Sequence, residues 1–487
     1  MKTNGILLGI SSLPSKYGIG DFGENAYKFV DLIKEAGVKI WQILPLNPLG
    51  FGNSPYQSVC SNAIDPIYID LEDLEKQELI SDLKPLSANS SKVDYKKVRE
   101  FKNKYLKEAF EKQEDTKKQV FKDFVKENPW VVAYAKFSIL LRINSYTSWW
   151  TWSLNYRYDF YKNTFDYSSY EKEILFIEWV QFIAFKQFYK LKKYINKNGI
   201  ELMGDIPFYV AANSSDAWAN QDEFLLDEND EPSGIAGVPP DYFSKTGQRW
   251  GNLLYDWEYM KDDNFTYWMN RIESVSKMYD IIRIDHFRAF DTYWVINPEC
   301  DTAIDGKWLH AYGDEFLGML FKKHPNINLI AEDLGDLVPS VGKLRDKYHL
   351  LGMNVFEFNI FNKKFTSNEN QIIYTGTHDN ETIKGWYNNL IDGDKELLKI
   401  MFKELKVKGR AMREKILNYC FESPCKLCII PVQDYLGLGN EARMNVPGTC
   451  GSPNWEFKLK SFDGLLKEIP NIKELNLKYK RWLRFQW

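Results

Sequence analysis

The chain has 487 residues, with 63 Lys and Arg against 67 Asp and Glu side chains, so its formal net charge is −4. A chain of this length with 44% apolar residues can bury a large core, which excludes a disordered scaffold. The slight acidic excess argues against nucleic-acid binding, because no basic surplus is available to neutralise phosphates. Aromatic residues make up 16% of the chain, and their rings either fill a core or provide flat platforms for a ligand.

The sequence favours a cytoplasmic protein that is not held by a membrane. The opening residues, MKTNGILLGI, carry no apolar run long enough for a signal-peptide core, and no stretch reaches membrane-spanning length. Six cysteines in so long a chain do not indicate a disulfide framework. Cys425 and Cys428 form a C-x-x-C, but it lies in an apolar strand-like run without the second close pair of a zinc site, so we expect buried free thiols.

Eight short apolar or β-branched runs each end near a polar residue, as buried parallel strands do. In chain order they lie at 6–10, 38–44, 200–206, 280–285, 328–333, 353–358, 372–379 and 427–434. Helical patterns separate most of them, at 25–36, 179–196, 265–279, 312–323, 338–348 and 395–418. Strands that alternate with helices favour a parallel sheet, and eight units predict an α/β fold of the closed (β/α)8 TIM-barrel type. An open doubly wound sheet is the alternative.

Two gaps between these runs are too long for simple connections. The first, 45–199, includes a Lys- and Glu-rich helical stretch and the aromatic segment 145–170, and it predicts an inserted, mainly helical, aromatic-rich subdomain over 60–175. The second, 210–262, is rich in Gly, Pro, Asp and aromatic residues with little periodicity, which predicts an ordered lid that contains the loop 237–252. With these insertions, we expect residues 1–487 to form a single catalytic barrel.

Three carboxylates close strand-like runs, which is where barrel enzymes place their catalytic groups. Asp285 ends IIRID, Glu332 lies in LIAED, and Asp379 follows YTGTH. Two carboxylates about 5 to 5.5 Å apart suit a double displacement at an anomeric carbon, and a third can stabilise the transition state or hold sugar hydroxyls. This chemistry needs a raised pKa at Glu332 and an ionised Asp285. Arg283, two residues earlier on the same strand face, is placed to keep Asp285 charged.

Each of these groups also has a purely structural interpretation, as an ion pair at the barrel mouth, a helix cap or turn, or a hydrogen bond within a loop. Their joint occurrence at three strand ends favours function, because burying several acids in one mouth costs stability. His286 follows Asp285 and is expected on the opposite face of the strand, in packing or support. No cluster has metal-ligand spacing, and neither a Walker loop nor a dinucleotide glycine fingerprint opens a helix, so we expect no metal and no cofactor.

Seven motifs lie along the chain in the order SPYQS (54–58), GDIPFYV (204–210), GVPPDYFSKTGQRWGN (237–252), RIDHFR (283–288), AEDLG (331–335), TGTHDN (375–380) and PGTCGSPNW (447–455). Together they resemble the 4-alpha-glucanotransferases, the amylomaltase or disproportionating enzymes of glycoside hydrolase family 77. The resemblance extends over nearly the whole chain. The 237–252 motif and the final block are its most diagnostic parts, since the wider alpha-amylase clan shares the short carboxylate motifs in part.

The resemblance implies a role for each matching residue. Asp285 would be the nucleophile that forms a covalent glucosyl enzyme, Glu332 the general acid/base, and Asp379 the group that stabilises the transition state by gripping sugar hydroxyls. The implied partners are maltooligosaccharides and alpha-1,4-glucans, with the oligomeric state left open. The implied substrate-binding residues are Ser54, Tyr56, Asp205, Arg283, His378, Asp241, Tyr242, Phe243, Gln248, Trp250, Asn454 and Trp455.

The implied activity is transfer of alpha-1,4-glucan segments to the 4-hydroxyl of glucose or another glucan. Water and a sugar hydroxyl compete for the same covalent intermediate, so transfer requires a lid that excludes water and sites that position the acceptor. The 237–252 loop is the segment on which this prediction depends. Two alternatives stay open: an alpha-glucan hydrolase or debranching enzyme of the same clan, and a non-catalytic glucan-binding protein that retains the barrel.

Overall fold

The computed structural model describes residues 2–86, 90–240, 244–335, 337–362 and 367–483. Over these ranges the chain forms twelve β-strands: β1 (Thr3–Leu7), β2 (Ile40–Gln42), β3 (Glu201–Ile206), β4 (Ile235–Val238), β5 (Gln248–Leu253), β6 (Ile281–Ile284), β7 (Thr292–Ile296), β8 (Gly306–His310), β9 (Leu329–Ala331), β10 (Gly352–Val355), β11 (Gln371–Tyr374) and β12 (Leu427–Pro431). Each of the eight strand-like runs of the sequence overlaps one of these strands.

Eight of the described strands form one parallel sheet that curves round until its ends meet. Hydrogen-bonded neighbours follow the order β10, β11, β12, β1, β2, β3, β6 and β9. The sheet closes between β9 and β10, where the Ala331 N–H donates to the Leu351 carbonyl at 3.0 Å. The eight strands are buried along their whole length, as strands covered on both faces must be. The predicted (β/α)8 barrel is confirmed, and the open-sheet alternative is wrong.

Helices cover the outside of the barrel and fill its long connections. In the described part of the chain they are α1 (Glu24–Glu35), α2 (Leu71–Lys76), α3 (Tyr95–Lys112), α4 (Gln119–Glu127), α5 (Pro129–Ile143), α6 (Leu154–Arg157), α7 (Asp159–Lys162), α8 (Glu171–Lys197), α9 (Ser215–Ala219), α10 (Trp257–Asp262), α11 (Thr266–Met278), α12 (Gly313–Lys323), α13 (Pro339–Lys347), α14 (Phe356–Asn359), α15 (Ile383–Asn389), α16 (Asp392–Glu404), α17 (Met412–Glu422), α18 (Val432–Tyr435) and α19 (Asp463–Lys478). Helices α2 to α7 lie between β2 and β3, where the sequence predicts an inserted subdomain.

Two predicted elements need correction. The pattern at 395–418 is two helices, α16 and α17, because Lys406 and Gly409 adopt φ values of +54° and +136° that interrupt a right-handed helix. The run 353–358 is a strand only as far as Val355 and continues as the short helix α14. In both cases the structure contains the predicted kind of element, and the prediction is wrong only about where that element ends.

The region predicted as a lid contributes half of a second sheet. Strands β4 and β5 pair antiparallel, β4 also pairs with β7, and β7 pairs with β8, giving the order β5, β4, β7, β8. The sequence predicts an ordered lid over 210–262 and identifies no strand there or at 292–310, so this sheet is seen only in the structure. In this sheet β4 lies between its two partners, both of which follow it in the chain. One of them, β7, comes after the next barrel strand, β6, and local periodicity does not indicate such a pairing.

One hydrophobic core joins the barrel interior, the surrounding helices and the insertion between β2 and β3. The six cysteines are free, and Cys425 and Cys428 are buried, as expected. Among the described helices, none combines the length and the apolar character that crossing a membrane requires.

Candidate active site

A buried ion pair organises the carboxyl end of the barrel. Arg283 on β6 lies in register with Asp205 on β3, and Arg283 Nη1 is 2.6 Å from each oxygen of the Asp205 carboxylate. Asp205 Oδ2 also accepts a hydrogen bond from the Tyr56 hydroxyl at 2.7 Å. The side chains of Arg283 and Asp205 are 4% and 0% exposed. Charge-assisted hydrogen bonds in such a dry setting hold Arg283 and Tyr56 in fixed positions.

Asp285 and Glu332 are close neighbours at the mouth of the barrel. Each is the first residue after its strand, β6 or β9, and these two strands are paired. Arg283 Nη1 donates to Asp285 Oδ1 at 3.2 Å. The backbone N–H of His286 donates to Glu332 Oε2 at 2.7 Å, and that of Leu334 donates to Glu332 Oε1 at 3.0 Å. Glu332 is therefore bonded to the residue that follows Asp285.

His286 lies on the same cavity as Asp285, so the prediction that it faces the opposite side of the strand is wrong. Its backbone φ is +49°, outside the extended region, so the alternation of a strand does not apply to it. The ring stands edge-on to Trp250, with centroids 4.9 Å apart at 88°. Burial lowers the pKa of His286 to about 3, and its Nε2 finds no hydrogen-bond partner among the described residues.

The loop after β11 brings His378 and Asp379 to the same mouth. The His378 ring stacks on Tyr56, with centroids 5.4 Å apart and 15° between the planes, and its Nε2 is 3.0 Å from the Tyr56 hydroxyl. Asp379 Oδ2 lies 3.4 Å from His378 Nε2, and its side chain is 43% exposed. Asp379 Oδ1 accepts a hydrogen bond from Asn445 Nδ2 at 2.7 Å. This third carboxylate is thus open to a ligand.

These groups line one open cavity of about 1030 Å³. Its size is at the upper end of the range for small-molecule sites, which suits an extended ligand rather than a single ring. Asp205 lies outside its wall and reaches it through Tyr56 and Arg283. The predicted site residues on the wall are Ser54, Tyr56, Gln248, Trp250, Arg283, Asp285, Glu332, His378, Asp379 and Trp455.

The second sheet covers one side of this cavity with residues of β5. Gln248 Oε1 accepts a hydrogen bond from Trp250 Nε1 at 3.2 Å. Gln57 Nε2 donates to the Trp250 carbonyl at 2.9 Å and to Asn252 Oδ1 at 2.6 Å, which ties β5 to the segment that carries Tyr56. The predicted site residues Asp241, Tyr242 and Phe243 lie outside the described residues.

Of the two residues predicted to close the cleft, Trp455 lies on the cavity wall and Asn454 does not. The Trp455 ring lies 5.7 Å from Tyr56 and is on the cavity wall. The Asn454 side chain is buried, accepts from the Val446 N–H at 2.9 Å and donates to Thr449 Oγ1 at 2.9 Å. Asn454 is not on the wall, and its contacts brace the surrounding loop.

Comparisons with known proteins cover almost the whole chain. The model of glycoside hydrolase family 77, described as 4-alpha-glucanotransferase, matches residues 8–464. A 4-alpha-glucanotransferase from Synechocystis is 38% identical over 94% of this chain and 94% of its own length. The chain belongs to this family. A further member, from Thermus thermophilus, is 36% identical over 93% of this chain and 94% of its own length.

A solved structure gives the same result in three dimensions. An amylomaltase from Streptococcus agalactiae in complex with acarbose has a TM-score of 0.92 and is 34% identical, covering 99% of this chain and 100% of that one. The resemblance found in the sequence is confirmed, and with it the class of enzyme: a transferase of carbohydrate metabolism whose family activity is the transfer of alpha-1,4-glucan segments.

Burial is the largest influence on the pKa values of the two carboxyl groups that follow β6 and β9, Asp285 and Glu332. Burial raises the pKa of Asp285 well above its ordinary value, the positive charge of Arg283 opposes this, and the neighbouring acids reinforce it. Burial also raises the pKa of Glu332, against Arg283 and the two backbone N–H groups. Arg283 therefore acts on Asp285 in the predicted direction, but burial outweighs it. The raised pKa at Glu332 is the direction that a general acid requires.

Three contributors to the site escape the sequence analysis as individual residues. Gln57 stands inside the SPYQS motif, and only the structure shows that it holds β5. Arg443 and Asn445 lie just before the final motif, PGTCGSPNW (447–455), and they contact the loop of Asp379. Within the described residues, no group of three or more His, Cys, Asp and Glu side chains is placed to hold a metal ion.

Proposed function

We propose that this enzyme transfers alpha-1,4-glucan segments by a retaining double displacement, with Asp285 as the nucleophile and Glu332 as the general acid/base. One observation carries the proposal: the His286 N–H bonds Glu332 while the preceding residue, Asp285, is bonded to Arg283, so both carboxyl groups belong to one small part of the cavity wall. Two carboxyl groups at close quarters are what this mechanism requires.

In the first half-reaction Asp285, in the ionised form that the Arg283 guanidinium favours, attacks the anomeric carbon of the donor sugar with a carboxylate oxygen. The bond from that carbon to the glycosidic oxygen breaks, and Glu332 donates its proton to the departing 4-oxygen. Burial raises the pKa of Glu332, which is the direction that favours a proton donor. The product is a glucosyl ester of Asp285 and a shortened glucan.

In the second half-reaction the 4-hydroxyl of an acceptor sugar replaces the departed chain. Glu332, now ionised, removes the hydroxyl proton as the oxygen attacks the anomeric carbon, and the ester bond to Asp285 breaks. Two inversions give net retention of the alpha configuration. If water takes the place of the acceptor, the same steps give hydrolysis.

We assign Asp379, His378, Tyr56 and Arg283 to the grip on the reacting sugar. Their polar atoms converge on the cavity that Asp285 lines, and the stacked Tyr56 and His378 rings give a flat, rigid wall. Donors and acceptors fixed before the reaction stabilise developing charge without reorganisation. Asp379, the most exposed of the acids, would hold hydroxyls of the distorted sugar.

The proposed substrates are maltooligosaccharides and alpha-1,4-glucans, and the cavity volume of about 1030 Å³ has room for several sugar rings. Acarbose, bound in the Streptococcus agalactiae structure, should bind in the same cavity and inhibit. A cytoplasmic location is part of the proposal, and cell fractionation would test it.

The test is incubation of the protein with maltotriose and isotopically labelled glucose. We expect label in maltose and longer chains while the total number of reducing ends stays constant, because transfer conserves glycosidic bonds. A rise in reducing ends that matches glucose release would show hydrolysis, and binding without new products would show a non-catalytic protein. Either result would overturn the proposal.

Asp285→Asn should lower turnover by about 10⁴-fold or more, because the amide keeps the shape of the side chain but does not attack carbon. Binding of maltotriose and the unfolding temperature should change little. The control is Asp314→Asn, which makes the same substitution at an exposed ion pair with Lys347. Wild-type turnover in Asp285→Asn would mean that another group attacks.

A further inference from the structure

A short segment, residues 443–445, holds the loop that carries Asp379. Asn445 Nδ2 donates to Asp379 Oδ1 at 2.7 Å, and the Asn445 N–H donates to the His378 carbonyl at 3.0 Å. Arg443 Nη2 donates to the Asp379 carbonyl at 2.6 Å, and Arg443 Nε donates to the Asn445 carbonyl at 2.8 Å. We call Arg443 and Asn445 the strut. It fixes both the backbone and the carboxylate of Asp379.

Asp379 needs such a contact more than the other two acids. Asp285 and Glu332 directly follow barrel strands, whereas Asp379 lies five residues beyond Tyr374, the last residue of β11. Its side chain is 43% exposed, so water would otherwise leave the carboxylate free to rotate. A hydrogen bond to Oδ1 selects one orientation, in which Oδ2 lies 3.4 Å from His378 Nε2.

The block that follows the strut fixes it in turn. The Val446 N–H donates to Asn454 Oδ1 at 2.9 Å, and the Trp455 N–H donates to the Met444 carbonyl at 2.7 Å. The Trp455 ring in turn lies against Tyr56 and His378. The final diagnostic block of the sequence is therefore connected to the Asp379 loop through hydrogen bonds that this structure shows.

We infer that Asn445 is a positioning residue for the transfer reaction: by donating a hydrogen bond to Oδ1, it aims the Asp379 carboxylate at the reacting sugar. The inference rests on the proposed function, because it assumes that Asp379 acts in the transition state. A neutral donor is required at this position, since a second negative charge would repel Asp379.

Asn445→Asp gives a test with a distinctive dependence on pH. When the new carboxyl group is ionised it repels Asp379, and when it holds a proton its O–H can donate to Asp379 Oδ1 as the amide does. The charged or titratable groups around the pair are His378 on the same loop, Arg443 on the strut, and Asp285 and Tyr56 across the mouth. These groups are present in the wild type and in the variant. The ratio of variant to wild-type turnover therefore isolates the effect of the side chain at position 445 on Asp379.

For Asn445→Asp we expect kcat for maltotriose disproportionation to fall about 10²-fold at pH 8, the cost of a misplaced catalytic group. KM should change less than about three-fold, because an interaction made only in the transition state lowers kcat. The ratio of variant to wild-type kcat should rise as the pH is lowered from 8 to 5. Asn445→Ala should lose a similar factor with a ratio that does not depend on pH.

The matched control is Asn440→Asp, the same substitution five residues earlier, where the side chain donates to Glu381 and not to Asp379. Its kcat ratio should stay near one at every pH, and the unfolding temperatures of all variants are measured alongside. A pH-independent ratio in Asn445→Asp would overturn the inference, as would a higher KM with unchanged kcat in Asn445→Ala. A wild type that does not disproportionate maltotriose would instead refute the proposed function.

Discussion

Raised carboxyl pKa values occur both inside and outside the active site, and burial is the main cause in each case. Burial raises the pKa of Asp285 and Glu332 at the mouth, and it also raises the pKa of Glu178 on α8 to about 7 and that of Glu223 to about 8. The shift alone therefore does not identify a catalytic residue. What distinguishes the mouth is its geometry, because Asp285, Glu332 and Asp379 line a single cavity together with Arg283.

The wild type should become less stable as the pH rises because Glu178 ionises, and Glu178→Gln should not show this decrease. The folded-state pKa of about 7 lies above the ordinary value of 4.5, so the folded protein holds this proton more tightly than the unfolded chain does. Its stabilising effect is complete below pH 4.5 and disappears as the pH rises to about 7. The loss should be on the order of 2 kcal/mol.

Urea unfolding of wild type and Glu178→Gln at pH 5 and pH 8 would measure this difference. The control is Glu171→Gln at the exposed start of the same helix, which should follow the wild type at both values. Equal slopes of stability against pH in wild type and Glu178→Gln would contradict the prediction.

The residues that could be predicted from the sequence are those whose position follows from a strand end. Asp285 and Glu332 are found because parallel strands bring their carboxyl ends to one mouth. The orientation of His286 is not found, since its φ of +49° breaks the alternation that the prediction assumed. Asn445 is missed as well, because its contact with Asp379 joins residues 66 positions apart in the chain.

At the scale of elements, the barrel strands can be predicted and the second sheet cannot. A barrel strand is an apolar run with a helix after it, so local periodicity indicates it. The strands β4 and β5 have mixed composition, and β4 pairs with β7, which lies on the far side of barrel strand β6. Only the pairing makes these segments strands, and the sheet that results places Trp250 over the cleft.

Gln57→Ala should shift the reaction from transfer towards hydrolysis. The Gln57 amide holds both the Trp250 carbonyl and the Asn252 side chain, so its loss would loosen β5 at the cleft and admit water to the glucosyl enzyme. We expect the ratio of hydrolysis to transfer on maltotriose to rise by about 10-fold, which corresponds to roughly 1.4 kcal/mol of relative barrier.

The ratio is measured as new reducing ends against chains longer than the donor. Gln77→Ala is the control, since the side chain of this glutamine donates to Asp73 at an exposed helix end. An unchanged ratio in Gln57→Ala, with a fall in both reactions alike, would show that Gln57 supports the site without excluding water.

At the scale of the whole molecule, the two ends of the barrel have different tasks. The carboxyl ends of the strands carry the candidate site, and the amino ends are where the last described residues of the chain return. Arg481 is fully buried there. Its guanidinium donates to the carbonyls of Phe421 at 2.7 Å, Ser423 at 2.8 Å and Cys425 at 3.0 Å, and also to that of Thr3 on β1.

Arg481→Met should destabilise the fold without changing the chemistry. Removing the guanidinium leaves several buried carbonyl oxygens without their donor, and the expected cost is about 3–5 kcal/mol in the free energy of unfolding. Turnover at 25 °C should stay within about two-fold of the wild type, because the substitution lies at the stability end of the barrel rather than at the catalytic end.

Urea unfolding and maltotriose disproportionation by the same preparation would separate the two effects. Lys480→Met removes a positive charge from an exposed neighbouring position and should leave both measurements unchanged. If Arg481→Met lowered kcat as strongly as it lowered stability, packing at the amino ends would have to reach the catalytic mouth. Such a result would show that stability and catalysis are not separated between the amino and carboxyl ends of the barrel strands.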